Sequence, residues 1–461
     1  MRPTFDDMTQ QGERWSADQV LALAPDTASR KAGSRLGAAG PWSGAGRSDE
    51  GAVWGLCEGS GSKPYRTVVD LADASGPAYK CSCPSRKFPC KHALGLLLLR
   101  AGDEGAVPRA EVPEWAGRWI ADRRGRAERK RTAASPSGPS SGPADPEAAR
   151  RRAERRAERV TAGAAELEQR LADLLRGGLA TAEQAGYGLW EETAARMVDA
   201  QAQGLATRVR ELGAIPGTGP GWPVRLLEEC ALLHLLDQGW LRRERLPEGL
   251  AATVRFRIGL PASADGPPVR DRWLVLAQYD TADARLTTRR TWLHGTRSER
   301  TSLLLSYGAA GRAPEPALPV GLALDAELSA YPGPGQVRAA PGEQFAQPAP
   351  TAERPSGTTT ALAAARYGDA LRDDPWLDSV PVTLDRVIPV PDGDCWQLAD
   401  ADADADAALP LTPAACSRPG LWRLVALSGG APVKVFGECG HRGFTPLSAW
   451  PEGPGEVVPL C

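Results

Sequence analysis

The sequence predicts a multi-domain α+β protein with a small N-terminal module, a helical middle segment and a β-rich C-terminal half. Three observations support this fold class: strand alternation followed by an apolar helix, helical periodicity in the middle, and later strand patterns punctuated by Pro and Gly. The 461 residues are enough for about three domains. The predicted organisation is an N-terminal region at 1–131, a flexible linker at 132–144, a helical segment at 145–240, a β-rich domain at 250–331, a loop or linker at 332–358, and a small helix-plus-β domain at 360–461.

The N-terminal region begins with two short helices within residues 13–36, where Ser16 and Gln19 match a capping box. Residues 92–100 are predicted to form a helix with an apolar face. Between them, three short apolar segments separated by turn residues predict an antiparallel meander. Its strands are expected at 52–58, 65–71 and 78–83.

The middle segment shows heptad spacing, which predicts a helix that packs against partners through one apolar seam. The seam residues are Val160, Ala164, Leu167, Leu171 and Leu174. Two more helices are expected at 182–212 and 223–237. Together they predict a small bundle, or an antiparallel hairpin that needs a partner.

The C-terminal half is predicted to be mostly strands, with one helix at 360–372 and a small all-β terminal domain after it. Strands are expected at 253–258, 273–279, 287–292, 301–307, 320–328, 380–384 and 422–427. Five tryptophans are interpreted as mostly β-core residues: Trp273, Trp292, Trp376, Trp396 and Trp422.

Composition excludes some function classes. There are 55 Lys and Arg against 57 Asp and Glu, and this balance excludes a uniformly basic protein that coats nucleic acid. The longest apolar run, 93–99, is far shorter than the roughly 20 residues of a membrane helix, and the N-terminus lacks a signal-peptide core. We therefore expect a cytoplasmic protein without a membrane partner. Its nine cysteines should be mostly reduced, so a cysteine cluster indicates metal before disulfide.

One motif carries clear chemistry, a C-x-C-x6-C-x-H pattern formed by Cys81, Cys83, Cys90 and His92. Three thiolates and one imidazole are a tetrahedral zinc set. Residues two apart on a strand point to one face, which suits the first two ligands. All four positions are filled by protein, which indicates a closed structural site holding one zinc per chain. A redox dithiol is the alternative, but it would normally have a C-x-x-C pattern.

This segment resembles the SWIM zinc finger, whose C-x-C and C-x-H pairs lie on a ββα-like unit. The resemblance covers about residues 52–100 closely, and it implies the same four ligands, Cys81, Cys83, Cys90 and His92. It also implies a role in DNA or protein interaction. The rest of the chain is similar to long actinobacterial SWIM-finger proteins, and this implies a MoxR-type AAA+ ATPase or a von Willebrand A-domain protein as partner.

A basic N-terminal part makes nucleic-acid binding a second hypothesis. The first 160 residues have a net charge of +7 and the remainder −9. The candidate contact residues are Lys63, Arg66, Lys80, Arg86, Lys87 and Lys91, with Phe88 as one aromatic that could stack on a base. The alternative is that these cations only offset the charge of the zinc–thiolate site.

No catalytic residue can be named, because the P-loop, zincin, dinucleotide-loop and nucleophile-elbow motifs are absent from the sequence. We therefore expect a non-enzymatic interaction or adaptor module, with an enzyme of unknown reaction in 215–461 as a further alternative. A second metal site is only weakly indicated. Cys439 and His441 repeat a C-x-H pair, which Cys416 and Cys461 could join only through folding.

Overall fold

The computed structural model confirms a multi-domain α+β fold with three sheets. It describes residues 15–25, 27–59, 63–71, 77–85, 87, 89–103, 105–134, 146–260, 263–282, 286–309, 314, 316–402 and 407–461. Arg86, Phe88 and most of the predicted linker therefore lie outside the described residues. None of the described helices combines the length and apolar character that a membrane span needs.

The N-terminal module is a four-stranded antiparallel meander with helices on both faces. Its elements are α1 (Ala17–Ala22), α2 (Thr27–Ser34), β1 (Trp42–Arg47), β2 (Ala52–Cys57), β3 (Tyr65–Asp70), β4 (Ala78–Cys81), α3 (Lys91–Gly102) and α4 (Glu114–Ala134). The predicted capping box forms, because Ser16 and Gln19 each accept a hydrogen bond from the other's backbone N–H. Strand β1 is an addition to the prediction, and α4 extends through residues 132–134 of the expected linker.

Helix α3 is the centre of this module. Every residue from His92 to Leu99 is buried, since the sheet covers one side of α3 while α1 and α2 cover the other. The fit against the segment after α2 is close: a Cβ added at Gly95 would lie 2.5 Å from the Cβ of Leu36. Helix α4 packs on the opposite face of the sheet through Ala116 and Ile120.

The middle of the chain is a helical bundle that continues to residue 258. Its helices are α5 (Pro146–Gly177), α6 (Ala180–Asp199), α7 (Gln203–Ala214), α8 (Trp222–Leu241) and α9 (Glu248–Ile258). The predicted seam is correct, because Val160, Ala164, Leu167 and Leu171 are buried and Leu174 packs beside them. The single helix expected at 182–212 is interrupted, since Gln201 has a φ of 63°.

The predicted strand at 253–258 was wrong. Val254 and Ile258 are fully buried in the bundle core, and this packing outweighs the β propensity of the local sequence. The bundle therefore extends past the predicted boundary at 240, and the β-rich part begins near residue 269.

The C-terminal half contains two six-stranded antiparallel sheets. The first is built from β5 (Val269–Ala282), β6 (Leu286–Gly295), β7 (Thr301–Ala309), β8 (Leu322–Ala330), β9 (Ala339–Gln344) and β10 (Ala349–Pro350). The second contains β11 (Ser379–Asp392), β12 (Cys395–Asp400), β13 (Ala408–Pro410), β14 (Val433–Gly440), β15 (Gly443–Pro451) and β16 (Val458–Pro459), with helices α10 (Thr360–Asp373), α11 (Pro413–Cys416) and α12 (Pro419–Ser428).

Two expectations for this half are corrected. Residues 332–358 are not only a loop, because β9 and β10 pair with the edge of β8. Residues 422–427 belong to α12, which has Pro419 in its first turn and Gly429 in a left-handed conformation at its C-terminal end. The terminal domain is therefore not all β.

The two sheets pack on each other and on the bundle. Leu276 and Trp292 of the first sheet contact Phe436 and Trp450 of the second in a shared core. Trp376 lies in the bundle core and not in a β core, and its indole Nε1–H donates to the carbonyl of Leu232 at 2.8 Å. Trp422 lies on α12 and is 63% exposed, so its interpretation as a β-core residue was also wrong.

Candidate metal centre

The four predicted ligands come from two chain segments that meet at one end of the meander. Cys81 ends β4 and Cys83 lies two residues further along. Cys90 is the N-cap residue of α3, with extended backbone angles, and His92 lies in the first helical turn. The helix start therefore brings two ligands towards the two that leave the sheet.

The ligand atoms converge. All four lie within 4.8 Å of one another. His92 Nδ1 is 3.6 Å from the sulfur of Cys81 and 4.0 Å from that of Cys90. A tetrahedral zinc site with metal–sulfur bonds of about 2.3 Å places neighbouring ligand atoms about 3.8 Å apart. The arrangement therefore fits Zn²⁺ through three sulfurs and Nδ1.

The surroundings hold these ligands in place. Cys81, Cys90 and His92 are buried, while Cys83 is half-buried. The hydroxyl of Thr67 on β3 lies 3.2 Å from the sulfur of Cys81. The Tyr65 ring lies against the His92 ring, with centroids 4.8 Å apart. Such outer contacts fix ligand orientation at metal sites.

The thiols influence one another's ionisation. The pKa of Cys81 is lowered to about 3, because Cys90 donates a hydrogen bond to its sulfur and His92 and Thr67 add to the effect. The pKa of Cys90 is raised by that same hydrogen bond and by burial. Burial also raises the pKa of Cys83. Zinc binding needs thiolates, so loading this cluster would release protons.

The chemistry of this donor set is structural. With four protein ligands a tetrahedral zinc ion has no open position for water or substrate. Such an ion would tie the β4 end to the start of α3. Since the module is small, the metal would contribute directly to its folding free energy.

The predicted nucleic-acid contacts are exposed around this site. Lys63, Arg66, Lys80 and Lys91 are exposed and make no ion pair within the described residues, and Lys87 is exposed as well. Arg66 lies two residues before Val68, and Lys80 pairs with Val68 across the strands. Val68 packs towards α4, whereas Thr67 faces Cys81, so Arg66 and Lys80 lie on the sheet face away from the ligands.

Helix α2 and the residue that follows it add three exposed cations, Arg30, Lys31 and Arg35, which are not among the predicted contacts. They also make no ion pair within the part of the chain that the structure describes. By contrast, two cations of α4 are paired: Arg124 with Glu50 at 2.8 Å and Arg123 with Asp70 at 3.5 Å. The exposed cations without an ion pair among the described residues therefore lie on both faces of the sheet, and Lys91 lies directly beside the ligands.

The weakly indicated second metal site does not form. Cys416 is bonded to Cys395 in a disulfide, and Cys439 is buried away from exposed His441, whose Nδ1 lies 3.1 Å from the Tyr367 hydroxyl. Among the described residues, the only group of three or more potential metal ligands is the cluster at residues 81–92.

Comparison with known families agrees with the geometry. Residues 65–101 match the SWIM zinc finger family, and residues 155–258 match the SWIM-associated four-helix bundle domain. The resemblance stated from the sequence is thereby confirmed, and the chain carries a SWIM-type zinc-binding module followed by a bundle of the associated type. No curated protein and no solved structure shows significant similarity to the chain.

Proposed function

We propose that the chain is a non-enzymatic interaction protein whose zinc module binds nucleic acid. One observation carries this proposal: seven cations of the N-terminal module are exposed and have no ion pair among the described residues. They are Arg30, Lys31, Arg35, Lys63, Arg66, Lys80 and Lys91. Phosphate groups are the ligand that such unpaired Lys and Arg side chains bind most readily.

The module would present these cations in a fixed arrangement. Lys91 directly follows the ligand Cys90, and Lys80 directly precedes the ligand Cys81. The Arg66 carbonyl accepts a hydrogen bond from the backbone N–H of Ser82, which lies between two ligands. Helix α2 is held against α3, which starts at the metal site. Zinc would therefore hold the charged segments together without touching the nucleic acid.

The shape of the module favours a single strand. A cleft of about 600 Å³ lies between α2 and the loop after Cys83. Ala28 and Ala32 line one wall, the rings of Tyr65 and His92 line another, and Lys91 lies at its edge. An unstacked base could enter beside an aromatic ring there, whereas a base in a duplex could not.

Salt-dependent fluorescence anisotropy with the zinc-loaded full chain tests this function. Binding to single-stranded DNA or RNA should weaken with salt by a slope of about −0.7 for each phosphate contacted. The variant Arg30→Gln, Lys31→Gln, Arg35→Gln should bind more weakly and with a shallower slope.

A matched variant controls for net charge. Arg118→Gln, Arg150→Gln, Arg151→Gln removes the same charge from exposed residues that are paired within their own helices. It should bind like the wild type. Absence of binding at low salt, or equal losses in both variants, would contradict the proposal.

A role as a protein adaptor is a second candidate, favoured by an apolar stripe on α8. Val224, Leu227 and Leu235 are 61%, 48% and 46% exposed, and exposed Ala231 lies between them at helical spacing. Stripes of this kind are often interaction sites. The MoxR-type ATPase or von Willebrand A-domain protein implied by the resemblance is our proposal for the partner.

Affinity purification from the native host tests the adaptor role. The pair Leu227→Glu, Leu235→Glu should lose proteins that the wild type retains. Leu362→Glu, at a 57% exposed leucine on α10, is the control and should retain them. Recovery of the same proteins with the wild type, the double variant and the control variant would contradict the adaptor role.

A further inference from the structure

A disulfide at the edge of the second sheet raises a question about thiol chemistry in this chain. Cys395 at the start of β12 and Cys416 at the end of α11 are bonded, with their Cα atoms 5.7 Å apart. Both residues are half-buried, so small reagents can reach them. The seven other cysteines are free, and three of them belong to the zinc site.

The zinc site and the disulfide are favoured by opposite redox conditions. Zinc ligation needs thiolates, which an oxidising compartment tends to convert to disulfides. Where thiols are kept reduced, disulfides that do form are usually transient and respond to redox conditions. We propose that Cys395 and Cys416 form a reversible thiol–disulfide site that exchanges with a small-molecule thiol and its disulfide.

The local fold supports reversibility, because other contacts hold the two sulfurs near each other without the bond. The backbone N–H of Leu411 donates to the Trp396 carbonyl at 2.8 Å, and that of Thr412 donates to the Phe444 carbonyl at 3.0 Å. The hydroxyls of Thr412 and Thr445 are 3.0 Å apart. Reduction would therefore leave α11 in place and ready to re-form the bond.

The exchange is chemically balanced. One cysteine thiolate attacks a small disulfide, forms a mixed disulfide and releases one thiolate. The second cysteine then attacks the protein sulfur of the mixed disulfide and expels the other thiolate. The pair loses two electrons to the small disulfide, which becomes two thiols, and the reverse sequence reduces the protein.

Glutathione buffers test this site in the zinc-loaded full chain. We would vary the ratio of reduced to oxidised glutathione under anaerobic conditions, alkylate the free thiols and map them by mass spectrometry. As the share of oxidised glutathione rises, Cys395 and Cys416 should become protected from alkylation together, and this protection should be reversible and occur without loss of zinc. Exposed Cys461 should be alkylated in the reduced samples and shows that the labelling works.

Two variants sharpen the result. Cys416→Ser should accumulate a mixed disulfide with glutathione at Cys395, because the second step is removed. Cys230→Ser, at a buried free thiol in the bundle, should titrate like the wild type. The proposal would be overturned if the Cys395–Cys416 disulfide stayed oxidised in reduced glutathione. It would also be overturned if the chain lost zinc before the two cysteines oxidised, or if Cys416→Ser formed no mixed disulfide with glutathione. None of these outcomes depends on nucleic-acid binding.

Discussion

The buried carboxyl group of Asp237 gives the sharpest test of how the bundle is built. Asp237 on α8 is fully buried, and neither of its side-chain oxygens has a hydrogen-bond partner among the described residues. Burial raises the pKa of Asp237 to about 9, and the nearby charge of Glu168 adds to the rise. The folded bundle therefore favours the neutral acid.

The sign and size of the pH dependence of bundle stability follow from this pKa. Below about pH 4 the carboxyl is protonated in both the folded and unfolded states, so it causes no pH dependence. Between about pH 4 and pH 9 the unfolded chain releases the proton while the folded bundle keeps it. Stability then falls by about 1.4 kcal/mol for each pH unit. The accumulated cost at pH 7 is about 4 kcal/mol.

Replacing Asp237→Asn removes the ionisable group and keeps nearly the same shape. The stability of the variant relative to the wild type should rise by about 4 kcal/mol between pH 5 and pH 8. Hydrogen exchange in peptides from α5 and α8, compared at equal pH, would measure this difference locally. The other titrating groups are the same in the wild type and the variant, so their contributions cancel in the stability difference. A difference that stays constant with pH would refute the assignment of Asp237 as a buried neutral acid.

Three further substitutions test the packing and the metal site. Cys90→Ala should abolish zinc binding and the exchange protection of the N-terminal module; one tightly held zinc in that variant would show the ligand assignment to be wrong. Gly95→Val should cost about 1–3 kcal/mol, measured by thermal unfolding, because the new side chain overlaps Leu36, and an unchanged melting temperature would contradict that fit. Trp376→Ala should cost about 3–5 kcal/mol and speed proteolysis between the bundle and the second sheet; equal cleavage rates would show that this indole does not anchor the C-terminal half.

The metal cluster could be predicted from sequence because all four ligands lie within twelve residues. The residues that contact these ligands could not be predicted from sequence. Thr67 reaches Cys81 only through the pairing of β3 with β4, and that register is set by the whole meander. The cations of α2 were missed for the same reason, since Arg30 and Lys31 are about fifty residues before the ligands in the chain.

The other differences between the predicted and the observed structure have physical explanations. At residues 253–258 the local sequence favours a strand, and only the packing of Val254 and Ile258 into the bundle makes it a helix. At residues 422–427 the helix signal is local, because Pro419 and Gly429 mark the two ends of α12. The disulfide between Cys395 and Cys416 required two segments of the second sheet to meet, which spacing alone does not reveal.

The most direct test of the central claim is zinc X-ray absorption on the purified full chain, with metal content measured on the same sample. We expect one zinc per chain, with three sulfurs at about 2.3 Å and one nitrogen at about 2.0–2.1 Å. This result would assign the site to Cys81, Cys83, Cys90 and His92. A chain that binds no zinc, or a zinc ion with oxygen ligands and fewer than three sulfurs, would contradict the account.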